Sequence, residues 1–345
     1  MANREKDGGS RKDKRASPRV LREREQRKQA RVLVAQEAAG SSAHDTGPWP
    51  ADSWMVVELA GGRCWVAQGE RRLDCAVPPR LAREFAGALA IGDRVRLDVN
   101  EASVVERLPR RNHLARKRSD RTRQSGGDAK EHALAANVDL AVVVAAAADP
   151  PFHPRLIARL LIMAQHGGIQ PLICLNKCEL GDAPPPELAI YAGLGVPVVL
   201  ASAHAGTGLA ELRAALQGKT AVLVGHSGVG KSSLVNALLG SATAAVGAVG
   251  TKSERGRHTT TAAQAHRLDA ETYLFDTPGI RSWGLWAIKP AELAAYFSEF
   301  AGPARDCRYR DCTHRDEPDC GVRAAVAAGA ISAARYDSYR RLFDE

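Results

Sequence analysis

A chain of 345 residues that is 45% apolar and 25% charged is long enough for two or three soluble globular domains, each burying its own core. Its formal charge of +9 (48 Lys and Arg against 39 Asp and Glu) is concentrated at the start, where residues 1–31 hold 12 basic and 5 acidic side chains, a local +7. The polar opening lacks the apolar segment of a secretory leader, the longest apolar run (LAVVVAAAA, 140–148) is too short to span a bilayer, and an odd cysteine count of 7 argues against a disulfide framework and for a reducing cytoplasm.

Residues 1–48 are expected to be a largely disordered basic extension, because so few apolar side chains cannot offset the entropy of ordering. Such an arm suits RNA or another polyanion; the alternative is a solvated tail that aids solubility. Residues 20–37 suit a short helix formed on binding.

Residues 49–110 contain five short alternating runs, WMVVELA, RCWVAQ, RRLDCAV, RVRLDV and ASVVERL, with a helix-like PRLAREFAGALA between the third and fourth. That order predicts a small OB-like barrel, a fold whose face and loops commonly bind oligonucleotides; a protein-docking barrel is the other reading. Residues 111–136, basic and Gly/Ser-containing, read as a linker able to touch phosphates.

From 137 to 288 strands alternate with helices: VDLAVVVAAA, then HPRLIARLLIMAQHG, IQPLICLN, VPVVLASA, GLAELRAALQG, TAVLVG, KSSLVNALLG and TYLFDTPG. The pattern predicts a doubly wound α/β domain with a largely parallel sheet. Residues 289–345 read as a mainly helical tail interrupted by a cysteine cluster.

Asn176-Lys177-Cys178-Glu179 follows a strand and resembles the NKxD base-reading motif of GTPases. A carboxylate at the fourth position accepts the two N–H donors that guanine has and adenine lacks; Glu179 keeps that chemistry one methylene further out. Ser202-Ala203 ends the next strand and matches the loop whose backbone supports the base. Gly225-His226-Ser227-Gly228-Val229-Gly230-Lys231-Ser232 satisfies G-x-x-x-x-G-K-[ST] between a strand and a helix that also contains Ser233. Its glycines let successive N–H groups face phosphate oxygens, Lys231 reaches the β/γ phosphates and the Ser232 hydroxyl binds Mg²⁺.

Between that loop and the next strand, ERGRHTTT suits a mobile switch in which one of Thr259 and Thr260 supplies a second Mg²⁺ hydroxyl. Asp276 in DTPG is placed to hold Mg²⁺ through water, and the Gly279 N–H to sense the γ-phosphate. Five loops of a GTPase are therefore present in permuted order, with base recognition ahead of phosphate binding. A parallel sheet held by neighbour packing tolerates such relocated chain ends. Switch II then leads straight into the C-terminal segment.

The order GHSGVGKSSL, GRHTTT, DTPGIRSWGL and CRYRDCTHRDEPDCGV, framed by an OB-like domain, resembles the ribosome small-subunit-dependent GTPase A family of bacteria from about residue 50 to 345. The resemblance implies a multidomain protein: an N-terminal OB-like β-barrel, a central circularly permuted P-loop GTPase and a C-terminal helical zinc-binding module. It implies GTP hydrolysis stimulated by the small ribosomal subunit during late maturation of that subunit, with the subunit and its rRNA as partners and GTP and GDP as ligands. The short apolar runs predict no membrane partner, and a monomer acting on a large particle is the simplest oligomeric state. Glu179, His226 and the basic N-terminus depart from the family pattern.

Cys307-x₄-Cys312-x-His314-x₅-Cys320 offers three sulfurs and an imidazole, a closed Cys₃His set for one structural Zn²⁺ with no open position for catalysis. Arg308, Arg310 and Arg315 beside it either meet RNA phosphates or are solvated. In the hydrolysis step Lys231 neutralises charge while water attacks in line. The residue after DxxG is Ile280, which cannot orient water, so the isolated protein should be slow. His258 is the candidate for positioning that water, or else a solvent-facing or RNA-contacting side chain. Two other functions fit parts of the pattern, an ATP-dependent P-loop enzyme and an RNA-binding module that uses nucleotide as a structural ligand.

Overall fold

The computed structural model describes residues 47–60, 63–79, 81, 89–117, 131–181, 183–246, 264–276 and 288–344. Strands β1 (Trp54–Ala60), β2 (Arg63–Gln68), β3 (Arg71–Ala76), β4 (Arg94–Asp98) and β5 (Ser103–Arg107) follow the expected five runs. They order as β1-β2-β3-β5-β4, and β4 returns to β1 through Trp54↔Val95, which closes the barrel. Val56, Cys64, Val66, Cys75, Val95 and Val104 fill its interior. Most of the helix expected between β3 and β4 lies outside the described residues.

The segment 111–136, expected as a linker, holds a hairpin instead: β6 (His113–Lys117) pairs antiparallel with β7 (Glu131–Ala136). Its basic composition hid the reason. Leu114 and Ala135 are buried in the same core as Ile91 of the barrel, and the Ala136 N–H donates to the Ile91 carbonyl at 2.8 Å. A strand pair that gains most of its burial from distant residues leaves little local periodicity to read.

The central sheet orders β10 (Val198–Leu200), β9 (Gln170–Asn176), β8 (Leu140–Ala146), β11 (Thr220–Val224) and β13 (Tyr273–Asp276), all parallel. β8 is buried at every position, which explains its unbroken apolar run. On one face lie α1 (Pro154–His166) and α2 (Glu187–Gly193); on the other α3 (Leu209–Leu216) and α4 (Lys231–Val246). α2, preceded by Pro184, Pro185 and Pro186, is not among the elements expected from the sequence. Pro154 opens α1 at the first helical position, where its missing N–H costs nothing. Ile157, Leu160, Leu161 and Ala164 face the sheet, while Ala158 and Ile162 meet the C-terminal residues.

A further strand, β12 (Gln264–Arg267), runs antiparallel to β13 and pairs on its other edge with β1 through Glu58↔Gln264. Barrel and α/β domain therefore form one 11-stranded sheet. β1 is buried on both sides: Trp54 and Val56 point into the barrel, Met55 and Val57 into the core that contains Val143, Val222 and Phe275.

The C-terminal residues form α5 (Pro290–Leu293), α6 (Gly321–Ala327) and α7 (Ala333–Phe343) with short 3-10 turns between them. Phe297, Phe300 and Tyr339 pack ring to ring, with centroids 5.0 to 5.2 Å apart. Arg335 fastens this module to the α/β domain. Its guanidinium donates to Glu299 at 2.7 Å and lies 4.4 Å from the Phe297 ring and 5.2 Å from that of Tyr191 on α2.

Candidate nucleotide and metal sites

The nucleotide-site residues meet at the carboxyl ends of β9, β10, β11 and β13, the rim where a parallel α/β sheet places its ligands. After β11 the chain turns through Gly225, Gly228 and Gly230, with φ of 153°, 86° and 89°. A side chain on Gly225 would lie 2.3 Å from the Val144 carbonyl oxygen, so glycine there lets the loop cross β8. His226, Ser227 and Gly228 are exposed, Val229 anchors the loop in the core, and Lys231 opens α4 followed by the exposed Ser232 and Ser233.

Lys231 Nζ donates to the carbonyls of Gly225 at 3.0 Å and His226 at 2.8 Å, which hold the ammonium at the mouth of the loop. His226 Nδ1 lies 2.7 Å from the Ser227 carbonyl oxygen. Asp276, the last residue of β13, is in register with Leu223, two residues before Gly225.

Asn176 ties the site together. It is 1% exposed; its Nδ2 donates to the Val229 carbonyl at 2.9 Å and its Oδ1 accepts the Ala203 N–H at 3.0 Å. One side chain thus joins the base-reading segment, the segment after β10 and the phosphate loop. Lys177, at φ 59°, lies over the same loop and donates from Nζ to the Asp149 carbonyl at 2.5 Å. The Glu179 carboxylate is exposed and held by the Ser202 hydroxyl, which pulls it below the usual glutamate range. Ser202 is itself buried and accepts the Ala205 N–H at 2.8 Å. His258, Thr259, Thr260 and Gly279 lie outside the described residues.

The second site is in the C-terminal module. The donor atoms of Cys307, Cys312, His314 and Cys320 all lie within 4.8 Å of one another. His314 Nδ1 is 3.5 Å from the sulfurs of Cys307 and Cys320, and those sulfurs are 3.9 Å apart. A tetrahedral ion with bonds of about 2.3 Å to sulfur and about 2.05 Å to nitrogen requires separations of about 3.5 and about 3.8 Å. The four residues therefore fit a tetrahedral metal ion.

The surrounding groups escaped the sequence reading. Tyr336 and Tyr339 donate from their hydroxyls to the carbonyls of His314 and Thr313, each at 2.6 Å, and the Phe300 ring meets that of His314 edge-on. Glu317 accepts the N–H of Thr313 at 2.8 Å, the Thr313 hydroxyl at 2.6 Å and the N–H of Arg315 at 2.9 Å. The only sequence signal was two tyrosines three residues apart on α7.

Partial burial opposes ionisation of Glu317, but the Thr313 and Arg315 donors outweigh it and bring its pKa to about 2. A carboxylate depressed in the folded state stabilises fully above its unfolded pKa and loses that contribution as pH falls toward the folded value. Glu317→Gln is therefore expected to lower the stability of this module by about 1–3 kcal/mol at neutral pH, with the difference shrinking between pH about 4.3 and about 2. Thermal unfolding followed by tyrosine circular dichroism across that range checks it; an equal difference at every pH would remove Glu317 from its assigned place.

Comparison with known proteins gives one consistent result. Residues 107–286 match the family model described as RsgA GTPase. The small ribosomal subunit biogenesis GTPase RsgA of Gemmatimonas aurantiaca is 40% identical over 303 residues, covering 84% of this chain and 96% of that protein. The protein of the same name from Chlorobaculum parvum is 36% identical over 304 residues, covering 85% and 97%. Among solved structures, YjeQ from Thermotoga maritima superposes with a TM-score of 0.65 at 30% identity, covering 85% of this chain and 97% of that one. YloQ, described as a circularly permuted GTPase, gives 0.62 at 26% identity, covering 88% and 96%.

Proposed function

The chain belongs to the RsgA GTPase family, and from that membership and the geometry of the rim we infer that it hydrolyses GTP in the biogenesis of the small ribosomal subunit, accelerated by that subunit late in maturation. The observation that carries the reading is Asn176, whose amide bonds the phosphate loop and the base-supporting segment at once. An ATP-dependent enzyme would have no use for this arrangement ending in a Ser202-held Glu179.

Lys231 exchanges its two loop carbonyls for β- and γ-phosphate oxygens, and the N–H groups from Ser227 to Lys231 face the same oxygens at the start of α4. Ser232, Asp276 and one of Thr259 and Thr260 would hold Mg²⁺, which would supply neutralisation of phosphate charge. Glu179 accepts the guanine N–H pair, with Asn176 and Lys177 fixing the segment and Ser202-Ala203 supporting the base. His258 orients the attacking water once RNA fixes its segment, and Gly279 senses the γ-phosphate. Cys307, Cys312, His314 and Cys320 hold a structural Zn²⁺, whose closed donor set supports the C-terminal module and takes no part in hydrolysis.

The chain acts as a cytoplasmic monomer on the subunit and its rRNA, with the basic residues 1–48 as a further polyanion contact. Among the described residues no helix is long and apolar enough to cross a membrane.

Turnover of GTP measured with small subunits, large subunits or buffer tests this function. Small subunits are expected to raise it by at least about tenfold, well within what an added catalytic group supplies in phosphoryl transfer, and large subunits to leave it unchanged. Equal turnover in all three defeats the reading. Glu179→Gln is expected to cost about tenfold in GTP affinity and nothing in ATP affinity, since a charge-assisted hydrogen-bond pair is lost only with guanine. Competition between the two nucleotides checks it.

A further inference from the structure

Adjacent residues of β13 face two different parts of the molecule. Leu274 and Asp276 lie on the face shared with α4 and the phosphate loop, while Phe275 between them points the other way, into the core shared with the barrel. There the Phe275 ring rests on Gly92, the residue that turns the chain into β4. A methyl group built on Gly92 would lie 2.8 Å from that ring and 2.1 Å from the Ala136 carbonyl oxygen, and Gly92 has φ 87°.

Gly92 is locked to β1. Its N–H donates to the Val56 carbonyl at 2.8 Å, its carbonyl accepts from Asn137 Nδ2 at 2.9 Å, and the Val56 N–H donates to the Asp93 backbone carbonyl at 2.8 Å. Asp93 is fully buried and paired with Arg110 at 2.6 and 2.8 Å. β1 is met a second time at Glu58↔Gln264, where β12 begins. The two strands that border the candidate switch segments in sequence thus both bear on β1, and closely packed interiors of this kind transmit small shifts rather than absorb them.

We propose that β1 is the element through which the barrel responds to the nucleotide: a change at Asp276 moves Phe275 against Gly92 and so alters the pairing of the barrel's first strand. The inference rests on the reading of the rim as a guanine-nucleotide site. By linkage, a polyanion seated on the barrel shifts nucleotide affinity by the same factor that the nucleotide shifts its own.

Amide hydrogen exchange of the full chain, with Mg²⁺ and either GDP or a non-hydrolysable GTP analogue, tests it. Binding of both nucleotides is established first by titration, and failure there would defeat the GTPase reading and not the coupling. With both bound, amides of residues 55–59 are expected to exchange at rates differing by about fivefold or more between the two states, the low end of allosteric couplings. Phe275→Leu, which keeps an apolar filler but withdraws the ring from Gly92, is expected to shrink that difference while both nucleotides still bind. Identical exchange of β1 in the two states overturns the proposal, and an undiminished difference in a folded Phe275→Leu protein overturns the route through Gly92. Should that variant unfold, the wild-type comparison decides alone.

Discussion

Replacing Gly230 with alanine is expected to weaken binding of GTP and GDP by at least about a hundredfold in a protein that remains folded. The added methyl would stand 2.3 Å from Asn176 Nδ2 at a residue whose φ is 89°. Asn176 cannot yield without giving up its bonds to Val229 and Ala203, each buried and each worth about 1 kcal/mol or more when broken. Adding about 1–2 kcal/mol for a non-glycine residue in that backbone conformation puts the cost of the binding-competent loop at or above roughly 2.8 kcal/mol; the free protein sheds this cost by letting the loop relax, so binding must restore it and loses about a hundredfold. Both ends of the nucleotide lose their seat together, because the same amide holds the base segment and the phosphate loop. Gly240, further along α4, is the control: a methyl there meets nothing within 4 Å, so Gly240→Ala should bind normally. Titration with a fluorescent GDP analogue measures both, and wild-type affinity in Gly230→Ala would break the link assigned to Asn176.

Loss of metal from the zinc site proposed for the C-terminal module is the second large expected effect. Structural zinc contributes about 10–16 kcal/mol of apparent folding free energy in small zinc modules, and a segment as short as 288–344 builds only a small core of its own. A chelator, or the pair Cys307→Ser and His314→Ala, is expected to abolish the cooperative unfolding of this module and the near-ultraviolet signal of Tyr336 and Tyr339. Nucleotide binding should survive, since the phosphate loop and Asn176 lie in a separate core. Elemental analysis should find one zinc per wild-type chain and almost none in the double variant. A metal-free chain with an unchanged unfolding profile would show that the four side chains are not a structural site.

What could be read from the sequence was chemistry carried by spacing. The glycines and lysine of 225–232, the Cys/His set and the five barrel strands each have a local pattern that fixes their geometry, and the rim brings Asn176, Ala203 and the phosphate loop into contact despite their permuted order. What could not be read was burial decided by distant partners. β12 is Gln-Ala-His-Arg, with no strand signature of its own, and exists because β13 and β1 flank it. Arg335 looks like a solvent-facing residue on α7, yet is 6% exposed because Glu299, Phe297 and Tyr191 surround it. Trp-Met-Val-Val at 54–57, expected as part of an alternating run, is in fact four apolar residues in a row, the mark of a strand covered on both faces, as in β8.

That doubly covered strand governs how the protein can be dissected. A fragment cut away after residue 110 would carry Met55, Val57 and Ile91 as a raw apolar flank, sticky enough to self-associate and to give misleading oligonucleotide affinities. The converse fragment, starting near 137, would lose the wall against which Phe275 is seated. Biochemistry on this chain accordingly calls for point substitutions in the intact polypeptide, with truncation confined to the residues ahead of Trp49.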